Sequence, residues 1–272
     1  MKVNYNQFLA VVYADIFDWP LNASEIKKWE IAGKGKQDVR VIFEKGYYCL
    51  QKKTIAIRQE REKISLKKLG KAKKIIEFLK RIPTIEGVFL TGSVAVGNAK
   101  KDSDIDLMIV TKPNTLWLTR AAVVAILKFS KKYGNFKDRI CPNIFLDANH
   151  LEIKEKNLYT AHEVRQVKCL FDRGGVEKEW LFKNSWTKEY LPDVVHEIFA
   201  VLSRRGGTAA RLKILFITFC LFEPLAFVSQ YLYQLPKQTN EKVGWGYAFF
   251  HPDQLGQKVE DKFRQRLVKY SR

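Results

Sequence analysis

Apolar residues recur along this chain with two different periods, and the change between them divides it into three stretches. Up to about Pro83 the period is mostly helical. Phe8, Leu9, Val12, Tyr13 and Ile16 share one helix face, and Asp18-Trp19-Pro20 ends that helix because the residue before a proline avoids helical backbone. Asn22 or Ser24 is placed to cap a second short helix that reaches Trp29. Gly33-Lys34-Gly35 reads as a turn, and residues 37–45 as a third helix stopped by Gly46. Residues 47–50 and 54–58 are β-prone and predict a hairpin across Gln51-Lys52-Lys53. A long basic helix follows, with Ile64, Leu69, Ala72, Ile75, Ile76 and Leu79 as its apolar stripe.

From residue 85 strand and helix patterns alternate. Residues 85–91 form a short apolar strand ending in Gly92-Ser93, and residues 104–111 form a nearly continuous apolar strand, as expected where both faces are covered. Residues 114–133 predict a helix that ends at Gly134, and 139–147 a third strand. The remainder reads as helical, over residues 159–172, 177–184, 192–205, 209–235 and 252–270, with Pro192 and Pro252 as first-turn prolines and 237–241 as a loop. The expected fold class is α+β or α/β, with a small mixed-sheet core. Three helices followed by a two-stranded wing is the winged-helix order. The expected units are a winged-helix-like domain at 1–62, the α/β core at 63–153 and an all-helical C-terminal domain at 154–272.

Composition sharpens this picture. The 272 residues are 46% hydrophobic and 13% aromatic, which supplies a packed core and excludes a disordered or collagen-like chain. Cys49, Cys141, Cys169 and Cys220 lie far apart, without the paired spacing of a zinc knuckle, a redox dithiol or a disulfide scaffold. Reduced thiols and a start without a basic-then-apolar leader predict a cytoplasmic protein. Residues 214–228 are apolar but interrupted by Glu223 and Pro224, so a buried helix is expected there and a membrane span is not.

Residues 89–110 carry the candidate chemistry. An apolar strand ends in Gly92-Ser93, and Asp104-Ile105-Asp106 opens the next one. Alternation puts both carboxylates on one side of the strand, roughly 7 Å apart. Such a pair repels unless a cation sits between them, and a hard divalent ion such as Mg²⁺ is held by one or two carboxylates together with phosphate oxygens. Gly92 lets the backbone approach a ligand closely, and Ser93 with the following amides favours a phosphate. Together these parts predict a nucleoside triphosphate site, with Ser103 added to its nucleotide-binding set. The simpler alternative for both words is turn chemistry with polar caps.

The pattern Leu90-Thr91-Gly92-Ser93, ten residues, then Asp104-Ile105-Asp106-Leu107 resembles the signature of the DNA polymerase β-like nucleotidyltransferase superfamily. The resemblance implies a mixed-sheet core and two-metal transfer of a nucleoside monophosphate to an acceptor hydroxyl, with release of pyrophosphate. Asp104 and Asp106 would then be catalytic and bind Mg²⁺, Gly92 and Ser93 would hold the triphosphate, and Asn143 would join the nucleotide-binding set. The family places a third carboxylate on the next core strand, where Pro142-Asn143-Ile144-Phe145-Leu146 puts Asn143, a neutral ligand and a poor base. Asp147, Asp138 and Glu163 are the alternatives for that role. This departure keeps a second reading open, in which a degenerate core only senses nucleotide in a nucleic-acid-binding or regulatory protein.

Rival motifs fail. Asn98-Ala99 replaces the Lys-Ser/Thr that a P-loop needs, and Gln166 and Ala200 stand where a zincin word needs its second histidine. For Arg120 the expected role is packing on a helix rather than a triphosphate contact. The net charge is +19, and the first 83 residues hold 19 Lys/Arg against 9 Asp/Glu. Lys34, Lys36, Arg40, Lys45, Lys52 and Lys53 fall where a winged helix would touch phosphates, so RNA or DNA is a candidate partner beside the nucleoside triphosphate. The acceptor is not specified by these residues.

Overall fold

The computed structural model describes residues 1–35, 39–129, 140–192, 210–235, 241–250 and 254–270. The N-terminal unit holds β1 (Lys2–Val3), α1 (Tyr5–Asp15), β2 (Leu21–Asn22), α2 (Ala23–Lys28), β3 (Val39–Arg40), β4 (Ile42–Glu44) and β5 (Tyr47–Cys49). Asn4 caps α1, and Asn22 caps α2 in a reciprocal capping box with Glu25. The expected third helix is not formed: of residues 37–45, 39–40 and 42–44 are strands, and 37–38 lie outside the described residues. The cause is the Lys45-Gly46 pair, with φ of 51° and 83°, the two-residue turn that joins antiparallel strands. The hairpin is therefore β4–β5, and β2 completes a sheet in the order β2-β5-β4. Residues 54–58, expected as a strand, instead begin α3 (Thr54–Leu79), where Thr54 Oγ1 donates to the Gln51 carbonyl.

Helix α3 carries the chain into the core. There follow β6 (Ile85–Leu90), α4 (Gly92–Ala95), β7 (Ile105–Thr111), α5 (Leu116–Phe129), β8 (Ile140–Asp147), α6 (Leu158–Gln166), β9 (Lys168–Asp172) and α7 (Val176–Lys183). A 3-10 turn (Ser185–Glu189), α8 (Ala210–Gln234), β10 (Lys242–Val243), β11 (Tyr247–Phe249) and α9 (Gln254–Tyr270) complete the described chain. The core sheet has the order β10-β11-β8-β7-β6-β9. Only β7 and β8 are parallel, so the sheet is mixed, as expected. The helix expected over 159–172 stops at Gln166, because residues 168–172 form β9, which pairs with β6 and places Cys169 opposite Phe89. The β10–β11 pair was not expected either, and makes the C-terminal stretch mixed rather than all-helical. The expected helix 192–205 falls on residues beyond the described set from 193 onward, as do the end of helix 114–133 and most of the loop 237–241.

Strand alternation divides the core in two. Val88, Leu90, Ile105, Leu107 and Ile109 face α3, α5 and α8. Phe89, Met108, Val110, Leu146 and Cys169 face α6, α7, α9 and the C-terminal part of α1. All five side chains of the first set are fully buried, which explains the unbroken apolar runs of β6 and β7.

Candidate nucleotide-binding and active site

Strands β7, β8 and β9 start, and β6 ends, at the same edge of the sheet. That edge therefore collects Asp106, Asn143, Lys168 and the Thr91-Gly92-Ser93 turn. The Thr91 amide donates to the Asp106 carbonyl at 3.0 Å, locking the two motif words together. Gly92 has φ +61°, and a Cβ built there would lie 2.6 Å from Asp106 Oδ2. Only glycine lets this turn and that carboxylate approach so closely. Asp104 and Asp106 are each half-buried, and the chain alternates them onto one side.

Asn143 stands at a bulge of β8, between the partners of Leu107 and Met108. The bulge turns its side chain toward the neighbouring strand, and Asn143 Nδ2 donates to Asp106 Oδ1 at 2.9 Å. Asn143 thus occupies the place inferred for a third carboxylate. Asp147 does not substitute for it. It pairs with Thr111 at the opposite end of β7, five residues and roughly 16 Å from Asp106's level. Its buried carboxylate is held by His150 Nδ1 at 2.7 Å and by the Asn149 amide at 2.9 Å. Asp138 lies outside the described residues. Glu163, on α6, does line the same cleft as Gly92, Ser93 and Asp106, and accepts a bond from Gln166 Nε2.

That cleft has a volume of about 1010 Å³. One end is polar, with Thr91, Gly92, Ser93, Asp106 and Lys168. The wall opposite comes from the N-terminal unit and α6, through Tyr13, Trp19, Trp29 and His162. The His162 ring stacks on Tyr13 at 3.9 Å and Trp29 at 5.5 Å, and its Nδ1 lies 2.9 Å from the Leu158 carbonyl. Burial pushes the imidazole down to about 4, so it is neutral, with Nδ1–H as the donor. The N-terminal unit is tied beside α4 by Arg61, which donates to the Phe17 carbonyl and to Asn98 Oδ1, and by Asn98 Nδ2, which donates to the same carbonyl.

Ser103, Asp104 and Asn143 do not themselves line the cleft. Ser103 serves the turn ahead of β7, where its Oγ accepts from the Lys100 amide at 3.0 Å. Arg120 packs on the opposite face of the sheet, over Phe250 and against Gln230, and burial lowers its guanidinium to about 10. Two parts of the candidate site go beyond the sequence expectations. One is the aromatic wall, whose parts are about 150 residues apart. The other is Lys68, 2% exposed, whose Nζ donates to the carbonyls of Ser103 at 2.7 Å and Lys101 at 3.1 Å and so holds the turn that presents Asp104. The signal was present: with Ser65, Ala72, Ile75 and Leu79, Lys68 falls on the buried stripe of α3.

Among the described residues, the group of three that brings candidate ligand atoms within 4.8 Å of one another is Cys169, Asp172 and Glu177. It lies away from the cleft's polar end, where β9 closes onto α7. Asp172 accepts the amides of Gly174, Gly175, Val176 and Glu177, and burial lifts the Glu177 carboxyl to about 7. This group reads as a helix cap rather than part of the polar edge.

No curated protein matches the chain. Among solved structures, a toxin–antitoxin complex crystallised with AMP-PNP is similar over 40% of this chain and 80% of that one, at 20% identity and a TM-score of 0.28. Residues 72–191, which carry Gly92, Ser93, Asp104, Asp106 and Asn143, match the nucleotidyltransferase domain family.

Proposed function

We propose that the protein transfers a nucleoside monophosphate from a nucleoside triphosphate to an acceptor hydroxyl, with release of pyrophosphate. The observation that carries this reading is the closure of Gly92-Ser93 against Asp106 in a cleft large enough for a nucleotide and part of an acceptor. Gly92 and Ser93 hold the triphosphate tail. Asp104 and Asp106 are acceptor-only groups on one side of the strand and fit Mg²⁺ shared with phosphate oxygens. When bound, that ion supplies charge neutralisation at the transferred phosphate. Asn143 keeps Asp106 Oδ1 in place by its hydrogen bond and adds no negative charge. A proton leaving the acceptor therefore goes to Glu163 or to solvent rather than to a carboxylate on β8.

The same proposal divides the chain into 1–62, 63–153 and 154–272 and places it in the cytoplasm. The β2-β5-β4 sheet beside α1 and α2 supports a winged-helix-like N-terminal unit, now without a third helix between α2 and the hairpin. Its role here is to form the acceptor-side wall. Among the described residues, no helix is long and apolar enough to cross a membrane.

The test is incubation of the full chain with Mg²⁺, each α-labelled nucleoside triphosphate and a panel of acceptors that includes RNA, DNA, proteins and small polyols. Transfer of label that is lost in Asp104→Ala and Asp106→Ala supports the proposal. Tight nucleotide binding without transfer, together with salt-sensitive duplex binding, supports the second reading, a nucleotide-sensing core, which Asn143 favours.

A further inference from the structure

Helix α8 has two faces of different kinds. Its inner face is anchored on α5. Glu223, fully buried, accepts the Trp117 amide at 2.5 Å and the Leu118 amide at 3.0 Å, so it caps the first turn of a neighbouring helix. Gln230 Nε2 donates to the Trp117 carbonyl at 2.8 Å, and Ala226 and Phe227 pack into the core below. These contacts fix the rotation of α8 and leave a second set of side chains pointing away from the molecule. That set is Leu221 (74% exposed), Leu225 (67%), Val228, Leu232 (59%) and Leu235, flanked by Phe222 and Tyr233.

The five aliphatic residues follow one another at intervals of four, three, four and three. Over these four turns the spacing keeps all five within one narrow stripe, which suits a seam between two paired helices. The five aliphatic side chains expose on the order of 500 Å² per copy, so a symmetric pair buries about 1,000 Å², the lower bound of a specific interface. Over residues 220–235 Glu223 is the sole charged residue in the sequence, and it is spent on α5. Two +19 chains can therefore meet along this face without bringing like charges into contact. The face lies on the α5 side of the sheet, opposite the cleft, so pairing leaves both clefts open.

We infer that the outward face of α8, centred on Leu225, Val228 and Leu232, pairs with the same face of a second copy about a two-fold axis. The association is apolar, and the repulsion between the two basic bodies opposes it. Added salt therefore strengthens it, opposite to binding driven by basic charge.

Sedimentation velocity and light scattering of the full chain, from low micromolar to about 100 µM, read this directly. The expected result is a monomer–dimer equilibrium approaching twice 31.7 kDa, tighter at high salt. The double variant Leu225→Glu/Leu232→Glu weakens dimerisation by at least about 100-fold. Leu225→Gln/Leu232→Gln, which adds no charge, weakens it less, and far-ultraviolet dichroism matching the wild type verifies the fold of both. A wild-type chain that stays monomeric at the highest concentration overturns the inference. So does a dimer that both variants leave intact, or one that loosens with salt. A monomer that instead co-sediments with phosphatidylserine-containing vesicles assigns the face to a lipid surface and equally overturns it.

Discussion

Gly92→Ala separates backbone strain from site geometry. At φ +61° an alanine costs about 1 kcal/mol in backbone strain. Its Cβ would also lie 2.6 Å from Asp106 Oδ2. The carboxylate is the end of a side chain and can rotate, so the total folding cost stays at about 1–2 kcal/mol, a fall in Tm of roughly 2–8 °C for a chain of this size. Rotation, however, takes Asp106 away from Gly92-Ser93 and from the 2.9 Å bond to Asn143 Nδ2. A misplacement on that scale costs a reaction that depends on positioning about 100-fold or more. Gly46→Ala is the matched control. Its φ is +83°, nothing lies within 4 Å of its Cβ, and it sits in the β4–β5 turn. It should lose similar stability and no turnover. Pyrophosphate release and thermal melts on the three proteins test this. Equal turnover in Gly92→Ala and Gly46→Ala, at equal Tm, would refute the claim that Gly92 is there to seat Asp106.

The buried imidazole gives a pH test. Folding lowers His162 from 6.5 to about 4, so the unfolded chain binds the extra proton, and this contribution is full above pH 6.5 and lost as pH falls toward 4. The full amount is about 3 kcal/mol, and urea titrations of wild type and His162→Phe at several pH values should show the difference between them shrinking by that order across the window. Asn143→Asp puts a carboxylate beside Asp106, and should cost about 1–3 kcal/mol without Mg²⁺, regained on adding it, while raising turnover; Tm in EDTA and in Mg²⁺ reads this, and a variant blind to the ion counts against Asp106 as a ligand. Glu223→Ala strands two α5 amides and should cost about 2–4 kcal/mol by urea unfolding, with Glu223→Gln milder; a neutral result would mean that α8 is not held this way.

The core strands could be read because their signal is local. β6, β7 and β8 are apolar runs between turn residues, and both motif words sit at their ends. Other elements were decided by pairing that no window of sequence contains. Residues 168–172 follow a helix in pattern and become β9 only because β6 offers an open edge at Phe89 and Leu90. Residues 54–58 carry β-branched Thr54, Ile55 and Ile57, yet extend a helix whose stripe on the core outweighs their local preference. The candidate site divides in the same way. Gly92, Ser93 and Asp106 followed from spacing, and the place of Asn143 from the family resemblance. The hydrogen bond that makes Asn143 a partner of Asp106 depends on a bulge, and the wall of Tyr13, Trp29 and His162 depends on how an N-terminal unit docks on α6. Neither leaves a pattern along the chain.

The most direct test of the central claim is pyrophosphate release from nucleoside triphosphate by the wild-type chain and by Asp104→Asn and Asp106→Asn, each with Mg²⁺ and with EDTA. The account predicts release that needs the ion and falls by at least about 1,000-fold in either variant, while both keep the wild-type Tm within a few degrees. Release that survives in Asp106→Asn, or that proceeds equally well in EDTA, would contradict it.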